Sequence, residues 1–153
     1  MEFYNINLTP FRRKFWTVLI VCCLLILGSL YVVKLGFYVI DSADTFKTYI
    51  RPLLILMVFV SIAHTYDIKR RVKAIQKIED FQVRGARYER LYAYRIYWYL
   101  VACGVSCVIA ILCGVMPFIY LAIYDLVLML PYFPNKRLFR NDLGNEDIVF
   151  LTR

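Results

Sequence analysis

The stretch from Asp67 to Tyr99, DIKRRVKAIQKIEDFQVRGARYERLYAYRIYWY, is basic and rich in tyrosine, and it lies between two hydrophobic runs. In the whole chain 61% of the residues are hydrophobic, and the mean hydropathy is +0.60. A soluble domain of this size contains fewer apolar residues. The composition therefore predicts an integral membrane protein in which the quoted segment connects two membrane spans.

The net charge of +8 is the second constraint on the class of protein. In a soluble protein such a charge would favour nucleic-acid binding, but here the Lys and Arg residues fall in the gaps between hydrophobic runs. That distribution is typical of membrane topology signals. We therefore expect the lipid bilayer, and no nucleic acid, as the environment of this chain.

Two spans are predicted before the central segment. The first covers residues 15–40, because its nineteen uncharged leading residues reach about 28 Å as a helix, near the ~30 Å of bilayer hydrocarbon. This run is longer than the core of a signal peptide, and no small-x-small cleavage site follows it. The second span covers residues 49–66, with Pro52 near its start and Tyr66 as an interfacial anchor.

The second helix is predicted to continue into the aqueous phase. No helix breaker follows Tyr66 until Gly85, so the helical extension covers residues 67–84 and a hinge is expected at Gly85. Branched apolar residues recur at helical spacing along this extension, and we call them the apolar stripe: Ile68, Val72, Ile75 and Ile78.

Two further spans follow the central segment. The third covers residues 96–116 and the fourth residues 117–133, with a tight turn at 114–117 that contains Gly114 and Pro117. A tail of residues 134–153 ends the chain. The predicted fold class is thus an all-α integral membrane protein with four transmembrane helices in two hairpins.

Charge distribution predicts the orientation of these hairpins. The N-terminal segment, residues 67–95 and the C-terminal tail contain nearly all Lys and Arg residues, whereas the connector at 41–51 is balanced and the turn at 114–117 is uncharged. Positively charged loops stay on the cytoplasmic side. Both termini and the central segment are therefore predicted to be cytoplasmic, and we expect a multi-pass protein of a bacterial inner membrane.

Asp125 is the only carboxylate well inside a predicted span. An unpaired charge at the bilayer centre costs at least about 2.5 kcal/mol, so such a residue marks function or tight pairing. Two roles stay open: a structural hydrogen bond to Tyr124, Ser106 or Arg51, and ion or proton conduction. His64, the only histidine, lies near the end of the second span, where interfacial hydrogen bonding and pH sensing are both open.

Catalytic chemistry finds little support in the sequence. The five cysteines lie inside apolar runs without a Cys-x-x-Cys pair, a single histidine leaves few metal sites, and no nucleotide-binding fingerprint occurs. We predict no catalytic residues, no cofactor and no metal. Small residues instead share one face of the third span and favour close helix packing: Cys103, Cys107, Ala110 and Gly114.

The basic central segment has three interpretations: a solvated face near anionic headgroups, a docking surface for an acidic or amphipathic partner, and a lid over a pore. The apolar stripe favours the second and third, because a helix surrounded only by water gains nothing from four aligned branched residues. The candidate contact residues are Arg70, Arg71, Lys73, Ile75, Ile78, Arg84, Arg87 and Arg90.

The two ends of the chain also have strand character, with alternating residues near positions 4–9 and a β-branched stretch at 147–152. If both ends lie on one side of the membrane, they can pair with each other or extend the sheet of a partner. Fraying of both ends is the default outcome.

Architecture alone does not define function. We expect a non-catalytic membrane protein that acts as an interaction or structural subunit of a membrane complex. It would bind a protein partner or further copies of itself, and contact anionic lipid headgroups through the basic segment. The alternative is a small oligomeric channel or membrane-permeabilising protein that uses Asp125, and an enzyme ranks third.

Overall fold

The computed structural model describes residues 4–37, 43–144 and 148–151. It is predominantly helical, as predicted, and it contains a two-stranded sheet in addition. In chain order the elements are β1 (Tyr4–Asn7), α1 (Thr9–Lys34), α2 (Ala43–Gln76), α3 (Phe81–Cys113), α4 (Met116–Met129), a 3₁₀ turn (Leu130–Tyr132), α5 (Lys136–Leu143) and β2 (Ile148–Leu151).

Helix α1 ends earlier than the predicted first span. Pro10 lies in its first turn, where the missing N–H of proline costs no helical hydrogen bond. The helix ends at Lys34, and Gly36 follows with a φ of 73°. Glycine adopts this left-handed backbone readily, and the chain leaves the helix axis there. The prediction that the first helix continues to residue 40 is therefore wrong, and residues 38–42 lie outside the described ranges.

Helix α2 continues beyond its hydrophobic run, as predicted. It is one helix from Ala43 to Gln76, so it begins before residue 49 and contains Pro52 in its interior. It ends at Gln76, eight residues before the predicted end at residue 84. We call residues 67–76 the α2 extension.

The break between α2 and α3 lies at residues 77–80. Oδ1 of Asp80 accepts hydrogen bonds from the backbone N–H groups of Gln82 at 2.8 Å and Val83 at 3.3 Å. An aspartate in this position caps a helix N-terminus. Gly85 lies inside α3, where an added Cβ would meet no atom within 4 Å. The hinge predicted at Gly85 is wrong, because the Asp80 cap starts the next helix four residues earlier.

The second hairpin forms at the predicted turn. Gly114, with a φ of 66°, ends α3, and Pro117 lies in the first turn of α4. Helix α4 has 14 residues and continues as the 3₁₀ turn of 3 residues, close to the predicted span at 117–133. The two helices pack against each other, and α3 also packs against α1. The core of the bundle lies along α3.

Helix α5 lies in the tail, where no helix was predicted. Oδ1 of Asn135 accepts a hydrogen bond from the backbone N–H of Leu138 at 2.7 Å, and Gly144, with a φ of 65°, ends the helix. Phe139 and Leu143 point into the core and are fully buried. The helix packs with this face against α2 and α3.

Strands β1 and β2 pair in parallel, with Tyr4 opposite Ile148 and Asn7 opposite Leu151. Of the possibilities left open for the two end segments, pairing with each other is the one that the structure shows, and the default expectation of frayed ends is wrong. Both strands lie at the same end of the helical bundle as the α2 extension, residues 81–95 of α3 and α5. We call this part of the molecule the basic end.

Three helices of the described residues are long and apolar enough to cross a membrane: α1, residues 48–76 of α2, and α3. Residues 116–132 and α5 pass the same test as a pair that is bent by 81°. Large apolar side chains are exposed along these helices, among them Leu24 and Phe59. Such surfaces suit a lipid solvent, and the molecule has the architecture of a multi-pass membrane protein.

Candidate functional site

A cavity of about 780 Å³ opens at the basic end, between α2 and the segment that contains the 3₁₀ turn and α5. One wall is formed by residues 66–76 of α2 and by Lys77, which follows the helix. The rest of the lining consists of Arg95 of α3, Tyr132, Asn141 and Asp142.

The lining of this cavity is strongly positive. Asp142 is the one carboxylate among its described lining residues, against five cationic side chains, so the formal net charge is +4. Lys69, Arg70 and Lys73 share one face of the α2 extension, because Lys73 lies four and three residues after the other two. Lys77 follows directly after the helix, and all four cations are exposed. The five cationic residues are Lys69, Arg70, Lys73, Lys77 and Arg95.

Arg95 is the buried cation of the cavity, with 3% of its side chain exposed. Its Nη1 donates a hydrogen bond to Oδ2 of Asp142 at 3.1 Å, and its guanidinium carbon lies 4.4 Å from the centre of the Tyr132 ring. The Tyr88 hydroxyl donates to the same oxygen of Asp142 at 2.8 Å. Nε of Arg95 has no hydrogen-bond partner within the described part of the chain. A buried guanidinium needs such compensation, so Asp142 and the Tyr132 ring hold the charge at the cavity wall.

Side-chain hydrogen bonds to backbone carbonyls fix α5 next to the α2 extension. Nε2 of Gln76 donates to the carbonyl of Asn141 at 2.8 Å. Nε of Arg84 donates to the carbonyl of Ile78 at 2.7 Å, and its Nη1 donates to the carbonyl of Leu143 at 3.1 Å. Arg84 thus bonds a carbonyl of the break after α2 and the last carbonyl of α5, and the second bond is typical of a cation near a helix C-terminus.

The predicted contact residues occupy three different environments. Arg70 and Lys73 line the cavity, and Arg87 and Arg90 are exposed on α3. The remaining cations bind within the chain, because Arg84 holds α5 and Arg71 pairs with Asp67 at 2.7 Å.

The apolar stripe does not form an open seam. Ile68, Val72 and Ile75 are at least 92% buried in the core, and Ile78 is half-buried. The α2 extension packs against α3 and α5, so the chain itself covers the stripe. Ile75 is therefore not available to a partner in this fold, and the stripe is explained by intramolecular packing.

Asp125 is 1% exposed inside the bundle. The Ser61 hydroxyl of α2 donates a hydrogen bond to its Oδ1 at 3.1 Å. This partner differs from the three considered from the sequence, because the depth of a residue in a span does not determine which helix face meets which. The Ser106 hydroxyl, one of those three, instead donates to the carbonyl of Ala102 on its own helix at 2.9 Å.

His64 is buried among aromatic rings at the level where the apolar runs of α2 and α3 end. Its ring stacks on Trp98 at a centroid distance of 4.4 Å and an interplanar angle of 14°, and Tyr94 and Tyr99 flank it. Nε2 of His64 has no hydrogen-bond partner among the described residues. Packing is thus the visible role of this side chain.

The small residues of α3 lie inside the bundle. Cys103, Cys107 and Ala110 are buried, and the Cys103 thiol lies 4.0 Å from the carbonyl oxygen of Cys22 on α1. Gly114 has a different role, because its left-handed backbone ends the helix. In the ranges that the structure describes, no group of three or more His, Cys, Asp or Glu side chains is placed to hold a metal ion.

Sequence reasoning did not identify Arg95 and Asp142 as members of a site. Arg95 stands among many Arg and Tyr residues, and Asp142 lies in a polar tail. A signal was present in the tail, however: the Asn135 cap, the Phe139–Leu143 spacing and Gly144 together indicate a short amphipathic helix. Such a helix can carry Asp142 back to the bundle.

Comparisons with known proteins add no relative. No protein-family model matches the chain, and searches of curated proteins and of solved structures found no significant match.

Proposed function

We propose that this protein is a non-catalytic interaction subunit of a membrane complex, and that it binds an anionic partner in the cavity at its basic end. The observation that carries this proposal is the combination of a +4 lining with a cavity of about 780 Å³. Basic residues that only determine topology need no concave arrangement. A cleft lined by charge of one sign concentrates ligands of the opposite sign.

The proposal includes a four-span topology with the basic end in the cytoplasm of a bacterial cell. Helix α4 and the 3₁₀ turn, with 14 and 3 residues, reach about 27 Å together, close to the ~30 Å of bilayer hydrocarbon. Sixteen of the 19 Lys and Arg residues lie in the N-terminal segment, in residues 67–95 or in the tail. The positive-inside tendency supports a cytoplasmic position for these three segments in an inner membrane.

The alternative of an oligomeric channel through Asp125 has less support. The carboxylate of Asp125 is bonded to Ser61 within one protomer and is almost fully buried. It therefore does not reach a surface where several copies could arrange it around a shared pathway. A hydrogen bond between α2 and α4 is the role that this geometry favours.

The proposal is tested by titrating detergent-purified protein with three anionic probes: inorganic tripolyphosphate, a poly-glutamate peptide, and mixed micelles that contain phosphatidylglycerol. We expect at least one probe to bind, and its affinity to fall as salt is raised, because the contacts are electrostatic. The cavity variant carries Arg70→Gln and Lys73→Gln, which remove two lining charges.

A matched control variant carries Lys136→Gln and Arg137→Gln. These two residues are exposed at the basic end, lie outside the cavity, and give the same change in net charge. We expect binding to weaken in the cavity variant and to stay at the wild-type level in the control. If the wild-type protein binds none of the three probes, the proposed function is wrong.

A further inference from the structure

One face of α2 changes from apolar to cationic along its length. Its apolar part has exposed side chains at Ile55, Phe59, Ile62 and Tyr66, which are 56–74% exposed. Its cationic part continues the same face with Lys69, Arg70 and Lys73, and Lys77 follows directly after the helix. Apart from the adjacent pair Lys69 and Arg70, successive members of this row are three or four residues apart, so they lie on one side of the helix surface. The row therefore leads from the lipid-facing surface directly to the cavity.

The change in character occurs at the boundary of the apolar region. Asp67 is the first charged residue after the apolar run of α2, and Arg95 is the last charged residue before the apolar run of α3. Contacts between the two helices place these points at one level: His64 stacks on Trp98, and the Arg71 guanidinium lies 5.4 Å from the centre of the Tyr94 ring. The mouth of the cavity thus lies at the height of lipid headgroups.

Tyrosine side chains mark the same level. Tyr66 and Tyr132 both line the cavity, and Tyr66 is 74% exposed. Tyrosine is enriched at membrane–water interfaces because its ring is apolar and its hydroxyl is polar. A ligand in this cavity is therefore in contact with the interface and not only with bulk water.

We infer that the cavity binds the phosphate-bearing headgroup of an anionic membrane lipid, whose acyl chains lie along the exposed apolar row of α2. This inference rests on the proposed function and names its ligand class. An amphiphile matches both parts of the row, whereas a soluble acidic protein can reach only the cationic part. Basic pockets at the cytoplasmic ends of transmembrane helices bind anionic headgroups in this manner.

Arg95 gives the site a fixed charge deep in its lining. Its Nη1 is held by Asp142, whereas its Nε has no partner in the described part of the chain. Guanidinium groups bind phosphate oxygens with strong, charge-assisted hydrogen bonds. The exposed Lys and Arg side chains of the α2 extension line the same cavity and add further positive charge.

The test uses full-length protein that has been washed free of lipid in a neutral detergent. Native mass spectrometry and thermal unfolding are followed while dioleoyl-phosphatidylglycerol or cardiolipin is added, with dioleoyl-phosphatidylcholine as the zwitterionic comparison. We expect the two anionic lipids to remain bound and to raise the unfolding temperature more than the zwitterionic lipid. Glycerol phosphate and tripolyphosphate test a soluble source of the same phosphate chemistry.

Chain length separates a lipid site from a phosphate site. We expect affinity to rise from glycerophosphoglycerol through the dihexanoyl to the dioleoyl lipid, because only acylated ligands use the apolar row. The variant with Arg70→Gln and Lys73→Gln is expected to bind dioleoyl-phosphatidylglycerol about thirtyfold more weakly, since each cation near an anionic lipid contributes about a factor of five. A second variant, with Lys69→Gln and Lys77→Gln, is expected to show a similar loss.

Four outcomes would overturn the inference. Equal affinity for soluble and acylated phosphates would assign the cavity to a soluble anion, and binding of the poly-glutamate peptide alone would assign it to an acidic protein. Both of these results leave the proposed function standing. Equal losses in the variant with Lys136→Gln and Arg137→Gln would show unspecific charge attraction. No binding of any anionic probe would refute both the inference and the proposed function.

Discussion

Two aspartates, the buried Asp125 and the partly buried Asp142, lie in opposite parts of this molecule. Asp125 lies in the apolar bundle with one visible partner, the Ser61 hydroxyl at 3.1 Å. Asp142 lies at the basic end, where Arg95 and Tyr88 both donate to one of its oxygens at 3.1 and 2.8 Å. The first was conspicuous in the sequence, and the second was not.

The difference shows what a sequence reveals about buried charge. A carboxylate in an apolar run contrasts with its neighbours, so its position alone signals importance. A carboxylate in a polar tail has no such contrast, and its importance arises only when the fold brings a buried arginine to it. Asp142 accepts two side-chain hydrogen bonds and Asp125 accepts one, yet only Asp125 could be identified from the sequence.

Replacing Asp142 should lower the free energy of unfolding more than replacing Asp125. Asp142→Ala leaves the buried guanidinium of Arg95 without its carboxylate, and we expect the free energy of unfolding to fall by about 3–5 kcal/mol. Chemical unfolding in detergent measures this change. Limited proteolysis should show faster cleavage near α5, because Asp142 is one of the residues that fix this helix.

The surface ion pair of the basic end provides the matched control. Lys14 and Glu89 are 3.3 Å apart and about half exposed. Such pairs contribute less than about 1 kcal/mol, so Glu89→Ala should change stability little. A loss for Asp142→Ala no larger than that for Glu89→Ala would contradict the role assigned to Asp142.

The hydrogen bond between Ser61 and Asp125 should contribute less to stability than the contact between Arg95 and Asp142. A double-mutant cycle with Ser61→Ala and Asp125→Ala is expected to give a coupling energy of about 0.6–1.7 kcal/mol, the range found for hydrogen bonds between membrane helices. Asp125→Asn keeps an acceptor oxygen and should retain most of this coupling. A protein that folds normally with Asp125→Asn but loses proton or ion flux in liposomes would support the channel alternative instead.

A substitution of His64 is expected to raise the free energy of unfolding of the same bundle, whereas substitutions of Ser61 and Asp125 lower it. His64→Phe keeps the stacked ring against Trp98 and removes Nε2, which has no partner among the described residues. An unsatisfied buried polar atom costs about 1–3 kcal/mol, so we expect the free energy of unfolding to rise by about 1 kcal/mol. His64→Ala, which removes the ring, should lower it. Destabilisation by His64→Phe would show that the imidazole has a polar partner.

The smallest expected change in the free energy of unfolding is that of Gly85→Ala, in the helix α3 that contains Arg95. Gly85 lies inside α3 in open space, so Gly85→Ala should raise the free energy of unfolding by about 0.5–1 kcal/mol. Gly36→Ala is the contrasting control, because its φ of 73° strains any residue with a Cβ. Thermal unfolding of the two variants should shift in opposite directions. A loss of stability in Gly85→Ala would instead support the hinge that the sequence predicted at that position.

The sequence predicted the parts of the fold that depend on a residue and its neighbours along the chain. Hydrophobic runs identified α1 to α4, and the apolar stripe correctly predicted that α2 continues beyond Tyr66. The same stripe was also interpreted as a partner surface, although α5 of the chain itself covers it. Periodicity reports that a face is buried, but it does not report what buries it.

The candidate site was predictable only in part for the same reason. Arg70 and Lys73 stood out because cations cluster on the α2 extension. Arg95 and Asp142 are 47 residues apart, and their contact depends on the path of α4 and on the Asn135 cap that starts α5. A helix with two buried residues gives too weak a pattern to predict the cavity that it closes.

The pairing of β1 with β2 has a consequence for how the protein is made. The paired residues Tyr4 and Ile148 stand 144 positions apart, so the ribosome releases the first strand long before its partner exists. The helices between the two strands can form during translation, whereas β1 has no partner until residues 148–151 have been synthesised. The sheet therefore forms only after all the helices between its two strands have been synthesised.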